Sequence, residues 1–570
     1  MQARTARGWR ALGGTAVAAA LAVATLTTPA GAAVPASVPP VLERSAAAVT
    51  ADGLPTVQVD GVVWTQVVIG STVYAAGDFG KARPAGAAPG TSTTTRKNLL
   101  AYSLTTGKLS TTFKPGALNG QVKALAVSSD GKTVFAGGDF TQVGTKKRLR
   151  FAAFDARTGA LRAAAPAFNT RVNALAVVGA NVYVGGWFTR VGTTLRTRVA
   201  AVNGSTGKLT GWAPKPSGAV NALVATPDRK RVVIGGGFDK IGSTRALGMG
   251  AVDATSGKVG AWKINTVVKD YGSKASILSL TADADTVYGT GYAYGGGNFE
   301  GAFAANPADG SVRWLQDCHG DSYGVAPVGG VVYVVGHAHT CQNIGGFPEA
   351  KPRLYRRAVA LTKTARGTVA TNAQVGSNYG NFAGQPAPSL VSWFPELTPG
   401  TFTGKTQAAW NVVGTTIYVA AAGEFTAVNG KPQQGLVRFA VPSAVPARTQ
   451  GPLLTDASTA PQLRVEAGAV VVDAVTNADR DQRSLTYDVV RRDRLADGTF
   501  GPATVVGAPR KAVSDFWARA PLTWTDATVE PGHDYRYQVR AVDADKNRVT
   551  SPATDVTTPV PPSSTTTEEG

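Results

Sequence analysis

The sequence predicts an all-β protein, a seven-bladed β-propeller followed by a β-sandwich. Three observations point there. Glycine supplies 67 of 570 residues and charged residues only 16%, against 43% hydrophobic, a composition that can bury a large core. Thr-Gly or equivalent turns recur at Gly107, Gly159, Gly207, Gly257 and Gly310, spaced by 52, 48, 50 and 53 residues, the period of a four-stranded unit. Within each period, short runs alternate between two faces and end in turn residues, as a strand meander does.

The elements follow in chain order. Residues 1–32 carry Arg4, Arg7 and Arg10, an apolar run from Ala16 to Leu26 and the small triplet Ala30-Gly31-Ala32, the layout of a secretory signal peptide cleaved before Ala33. The run is shorter than the ~20 apolar residues a membrane span needs, so no transmembrane anchor is expected after cleavage. Residues 33–53, rich in Ala, Pro and Val, read as a flexible leader.

Residues 54–443 hold units beginning near Val62, Val122, Val172, Val220, Ile277, Tyr323 and Trp410. In the third, Val172, Ala174 and Ala176 alternate with Leu175 and Val177, and Gly179-Ala180 makes a hairpin turn. A second strand ends in Gly185-Gly186, a third runs Val199 to Val202, and a fourth carries Trp212. That tryptophan recurs as Trp262, Trp314 and Trp393, and both the glycines and the tryptophans read as packing devices. The last unit has no Trp-bearing fourth strand, and Thr56 to Val59 are placed to supply it and close the ring. Residues 444–455 form a Pro-Ala linker, 456–559 the sandwich and 560–570 a disordered tail.

The motifs of Gly185 to Val191, Asp155 to Leu161, Asp253 to Trp262 and Glu424 to Phe439 resemble the delta-60-type bacterial β-propeller repeats, a domain family of unknown function in secreted proteins. The stretch from Leu485 and the run from Val529, with Tyr535 and Tyr537 alternating with Val539 and Ala541, resemble a fibronectin type III domain. That resemblance implies a core position for Trp524 and a corner hydrogen bond from one of the two tyrosines. The Asp-x-x-Thr-Gly…Trp half of the repeat is also similar to quinoprotein dehydrogenases, whose adjacent cysteine pair is absent here.

One unit concentrates the chemistry. With the hairpin turn at Gly329-Gly330, Cys318 and Cys341 fall opposite each other, and in an exported protein a disulfide follows. Closing such a loop stabilises by roughly 3 kcal/mol on chain-entropy grounds. Counting puts the pair at a hydrogen-bonded site of the ladder, which calls for a local bulge. His319, Asp321, His337 and His339 gather at the same end as a candidate divalent-metal or ligand site; no cofactor is otherwise expected. Residues following each second strand, Asp78, Asp139, Trp187, Gly237, Tyr292, His337 and Glu424, form a candidate ring on that top face, varied in chemistry on a repeated frame. The long segment Thr364 to Ser389, between third and fourth strands, is expected at the opposite end.

The formal charge is +20, about +17 without the signal, which suits acidic partners such as anionic wall polymers. No nucleic-acid motif accompanies it. The leading reading is a secreted monomer, non-enzymatic, whose top face binds an extracellular glycan, wall polymer or protein. A glycosidase-type hydrolase using Asp78, Asp139 or Glu424 across the channel is the alternative, and a quinoprotein-like oxidoreductase the second.

Overall fold

The computed structural model describes residues 37–376 and 378–560, and the expected signal segment 1–32 and tail residues 561–570 lie outside them. The described chain is all-β: its regular elements are strands and short 3₁₀ turns, in many small antiparallel sheets. No helix among the described residues is long and apolar enough to cross a membrane.

Seven sheets repeat one plan, with the first strand hydrogen-bonded to the second and the second to the third. Their first strands are Val62–Ile69, Val122–Val127, Val172–Val178, Val220–Ala225, Ala275–Ala282, Ser322–Val328 and Ala409–Gly414. Each packs against the next in chain order, and the last packs against the first. The fifth and sixth sheets have a full fourth strand, Val312–Gln316 and Pro386–Val391. In the first four it shrinks to a single bridge, such as Phe154↔Leu161 or Val202↔Leu209.

Paired glycines at the ends of the second strands set this packing. A Cβ on Gly186 would stand 2.2 Å from the Arg171 carbonyl oxygen, and one on Gly185 would stand 2.5 Å from Val220 in the next sheet. One glycine admits the neighbouring strand and the other admits the neighbouring sheet. The repeated tryptophans join sheets as well: Trp212 Nε1 donates to Asp253 O at 3.0 Å and Trp314 Nε1 to Lys363 O at 2.9 Å.

Each first strand also carries a register shift of one residue, between Val63 and Thr65, Val122 and Ala124, Val172 and Ala174, Val220 and Ala222, Ile277 and Ser279, Ser322 and Gly324, and Ala409 and Asn411. A bulge of this kind re-aims one side chain per strand.

The N-terminal stretch differs from expectation. Residues 37–53 are not a loose leader: Leu42 N donates to Leu390 O and Thr50 N to Ala440 O, both at 2.8 Å, and Ala48, Val49 and Ala51 are buried. Small apolar residues let this segment lie flush along the sixth and seventh sheets. The closing contact falls at Leu54, which bridges Arg438, while Gln58–Val59 pairs instead with Lys81–Arg83 of the first unit.

The segment 364–389 also differs. The third strand of the sixth sheet runs on from Arg356 to Thr368, without the short turn used elsewhere. Val369 N then donates to Gln385 O and Ala370 N to Asn343 O, so the segment returns to the His-bearing end rather than the opposite one.

Residues 462–557 build two further sheets around their own core of Val470, Val472, Leu485, Tyr487, Val489, Trp524, Tyr535 and Tyr537. Trp524 is buried there, and the Tyr535 hydroxyl accepts the Glu530 N–H at 2.7 Å. This sandwich and the seven sheets belong to one compact unit. Phe516 and Trp517 pack on Phe347 and Phe394, Arg356 lies 3.8 Å over Phe516, and Arg480 pairs with Glu396 at 2.8 Å.

Candidate functional site

Cys318 and Cys341 form a disulfide. The hairpin turns at Gly329-Gly330 with Val328 opposite Val331; the bulge at Tyr323 shifts the ladder and the His319↔Thr340 bridge restores it, which seats the cysteines across from each other.

The histidines separate into two groups. His319 stacks on Tyr379 with centroids 3.9 Å apart, and its Nδ1 lies 3.2 Å from Gln374 Oε1. His339 places Nδ1 2.8 Å from Glu349 Oε2 and Nε2 3.3 Å from the Tyr379 hydroxyl. His337 turns the other way, its Nδ1 3.0 Å from the Tyr323 hydroxyl. Burial pushes both His319 and His337 down to about 4, so both are neutral at pH 7. Among the described residues no three His, Cys, Asp or Glu side chains are arranged to hold a metal ion.

Beside them Asp321, expected with the histidines, stands instead with Glu300 and Asp270, two carboxylates that sequence reasoning did not single out. Asp321 is raised to about 6 by burial, and Glu300 to about 8 by burial and then by Asp321. Glu300 Oε2 accepts the Gly320 N–H at 2.9 Å. Asp270, fully buried, accepts the N–H groups of Asn298 and Phe299 at 3.0 Å and is held well above the usual carboxylate range by burial.

The expected top-face ring is only partly an open surface. Asp78 is exposed and Trp187 is 53% exposed, whereas Glu424 is buried, accepting from the Thr403 hydroxyl at 2.6 Å and from Trp410 Nε1 at 3.2 Å. Asp139 is bound by Arg171 Nε at 2.8 Å and by Gln121 Nε2 at 2.8 Å. Tyr292 is half-buried, its hydroxyl held above the ordinary value by burial and by Asp321. Asp139 and Glu424 are thus engaged with separate partners rather than with each other.

Behind this ring, the bulged residues of the first strands meet around a cavity of about 970 Å³. Trp64, Tyr323 and Trp410 form an aromatic arc, with Trp64 to Trp410 at 5.0 Å and Tyr323 to Trp410 at 4.4 Å. Lys123 Nζ stands 3.3 Å over the Trp64 ring. Burial lowers this lysine to about 8, with Arg171 adding to the effect. Next in the circle come amides: Asn173 Nδ2 donates to Asn221 Oδ1 at 3.1 Å and Asn221 Nδ2 to Ser276 Oγ at 2.9 Å.

Strict alternation hides these positions, because each is the extra residue of a bulge. The available signal was the variable second position in Val122-Lys123-Ala124-Leu125, Val172-Asn173-Ala174-Leu175 and Val220-Asn221-Ala222-Leu223, framed by repeated apolar residues.

The chain matches no protein-family profile and no curated protein. Among solved structures it is similar to a chain of the crystal structure of the mitotic checkpoint complex, with TM-score 0.40 and 12% identity over 69% of this chain and 97% of that one. It is also similar to the GH74 enzyme of Niastella koreensis, with TM-score 0.39 and 10% identity over 87% of this chain and 73% of that one. Likenesses this distant say nothing of what the chain binds or does.

Proposed function

We propose that this protein is a secreted, non-enzymatic recognition protein, a seven-bladed β-propeller with a fibronectin type III-like sandwich, whose top face binds an extracellular glycan or wall polymer. One observation carries the reading. Among the described residues, the exposed aromatic side chains Trp187, Tyr271, Tyr294, Tyr355 and Phe402, from 39% exposed at Tyr271 to 78% at Tyr294, all sit on connections at the end where second strands finish. Solvated aromatic rings gathered at one end, where Trp187 also lines the cavity, are the make-up of a binding surface rather than of a solvated loop. The cyclic packing of first strands supports the propeller reading, and the disulfide and the N-terminal sequence support export. The formal charge of +20 favours anionic polymers.

The test is retention on insoluble polysaccharides and isolated cell wall, followed by calorimetry on the ligand retained. Trp187→Ala combined with Tyr294→Ala is expected to weaken binding at least about tenfold without loss of fold. Retention by a protein bait alone would replace the glycan with a protein partner.

A second reading rests on Glu300 and Asp321. Because Glu300 is raised to about 8 and Asp321 to about 6, neutral solution leaves one protonated and the other ionised, the division that general acid and base require. Release of reducing sugar from a glycan panel, abolished by Glu300→Gln, would establish that hydrolytic role in place of simple recognition.

A further inference from the structure

Resting on the glycan reading, we infer that the circle of bulged residues is a subsite for one carboxylate-bearing sugar, whose ring lies against the Trp64–Trp410–Tyr323 arc and whose carboxylate meets the Lys123 ammonium.

The circle has two unlike halves. One is aromatic and flat, Trp410 standing between Trp64 and Tyr323. The other is polar, running from Lys123 through Asn173 to Asn221, and Leu278 separates it from Tyr323. A sugar ring has the same division, an apolar C–H face and a rim of hydroxyls, and an aromatic wall opposite amides matches both. The cavity, at about 970 Å³, holds such a unit.

Charge then selects among sugars. The other charges near Lys123 are Arg171, Asp139 and Asp78. Arg171 and Asp139 neutralise each other through a two-point contact at 2.8 and 3.0 Å from Nε, and Asp78 is exposed at the rim. Lys123 has no hydrogen-bond or ion-pair partner among the described residues, only the Trp64 ring. A half-buried ammonium without an anion is an incomplete pair, and a carboxylate delivered by a ligand completes it.

The test is calorimetry and tryptophan fluorescence of the full mature protein with tetragalacturonic acid, its fully methyl-esterified form and poly(glycerol phosphate). The acid should bind about tenfold more tightly than the ester and perturb the fluorescence of the arc. Lys123→Met should erase that preference, acid and ester then binding alike. Since Lys123 is lowered to about 8, the preference should fade as pH rises through that value, and Lys123→Arg, which stays charged, should keep it at pH 9.5. A preference that survives Lys123→Met overturns the inference, as does binding of the phosphate polymer in place of the uronate. Equal binding of acid and ester, still lost with the Trp187 and Tyr294 substitutions, overturns the acidic-sugar assignment while leaving glycan recognition standing. Failure of every glycan and wall preparation to bind removes both.

Discussion

Glu300 keeps its proton into neutral solution because a carboxylate there is stripped of water and faces Asp321. Its folded value, about 8, lies above the unfolded one, so the stability it contributes is full below pH 4.5 and is lost as pH rises through 8. Asp317 and Asp321, raised to about 7 and about 6, act in the same direction. His319 and His337, lowered to about 4, act oppositely: their contribution is present above pH 6.5 and is lost as pH falls through 4. Between pH 6.5 and 8 the histidines are silent and the carboxylates dominate. Thermal unfolding should therefore show stability falling across that window, by roughly 1–2 kcal/mol from Glu300 alone, and Glu300→Gln should lessen the decline by that amount, leaving the share of Asp270 and Asp479. A flat wild-type profile would contradict the burial of these protons. Cys318 and Cys341 were legible in the sequence because residue counting across a glycine turn needs no side-chain geometry. Glu300 was not, since its burial and the neighbouring Asp321 charge that raise it come from the fold, which the linear pattern does not show.

At the scale of the element, the paired glycines and the bulge form one device. The bulge brings the backbone at Arg171 and Val172 against Gly186, where no Cβ fits: the Arg171 oxygen would be at 2.2 Å and the Val172 Cα at 3.0 Å. Both obstacles are main chain and cannot swing aside. Gly186→Ala should destabilise by about 1–3 kcal/mol on denaturant titration. Gly179→Ala is the control: its added Cβ meets nothing within 4 Å, and its cost is limited to the positive φ of 57°. Similar losses in both would mean that backbone conformation, not close approach, fixes these glycines. Strand starts, turns and the repeat were readable because they follow from local chemistry. The bulges were not, because one inserted residue leaves the apolar frame of Val172, Ala174 and Leu175 intact while turning Asn173 toward the centre. The return of segment 364–389 was hidden for a related reason: only the unbroken strand from Arg356 to Thr368 redirects it.

For the whole molecule, the consequence is that residues 37–53 and the C-terminal sandwich are fastened to each other and to the sixth sheet. The N-terminal segment is held by Leu390 and Ala440 and in turn contacts the sandwich, since Arg44 lies 3.6 Å from Asp481 and Arg483 Nη1 donates to Val41 O. Trp393 Nε1 donates to Thr50 O at 3.0 Å, tying a sheet tryptophan to that same segment. The sandwich adds the aromatic cluster of Phe516 and Trp517 on Phe347 and Phe394. Half-buried aromatic rings packed on the buried Phe347 and Phe394 are an anchor, whereas the exposed end of the Arg480–Glu396 pair adds little. Phe516→Ala with Trp517→Ala should therefore free the sandwich while both cores remain folded. Solution scattering should show a larger radius, and limited proteolysis should cut within residues 442–455, a stretch the wild type protects through Asp52, which accepts from Thr449 N at 2.8 Å and Gln450 N at 3.1 Å. If scattering and cleavage are unchanged, the polar contacts of residues 37–53 hold the sandwich without the aromatic anchor, and Arg44→Ala added to the pair should then release it.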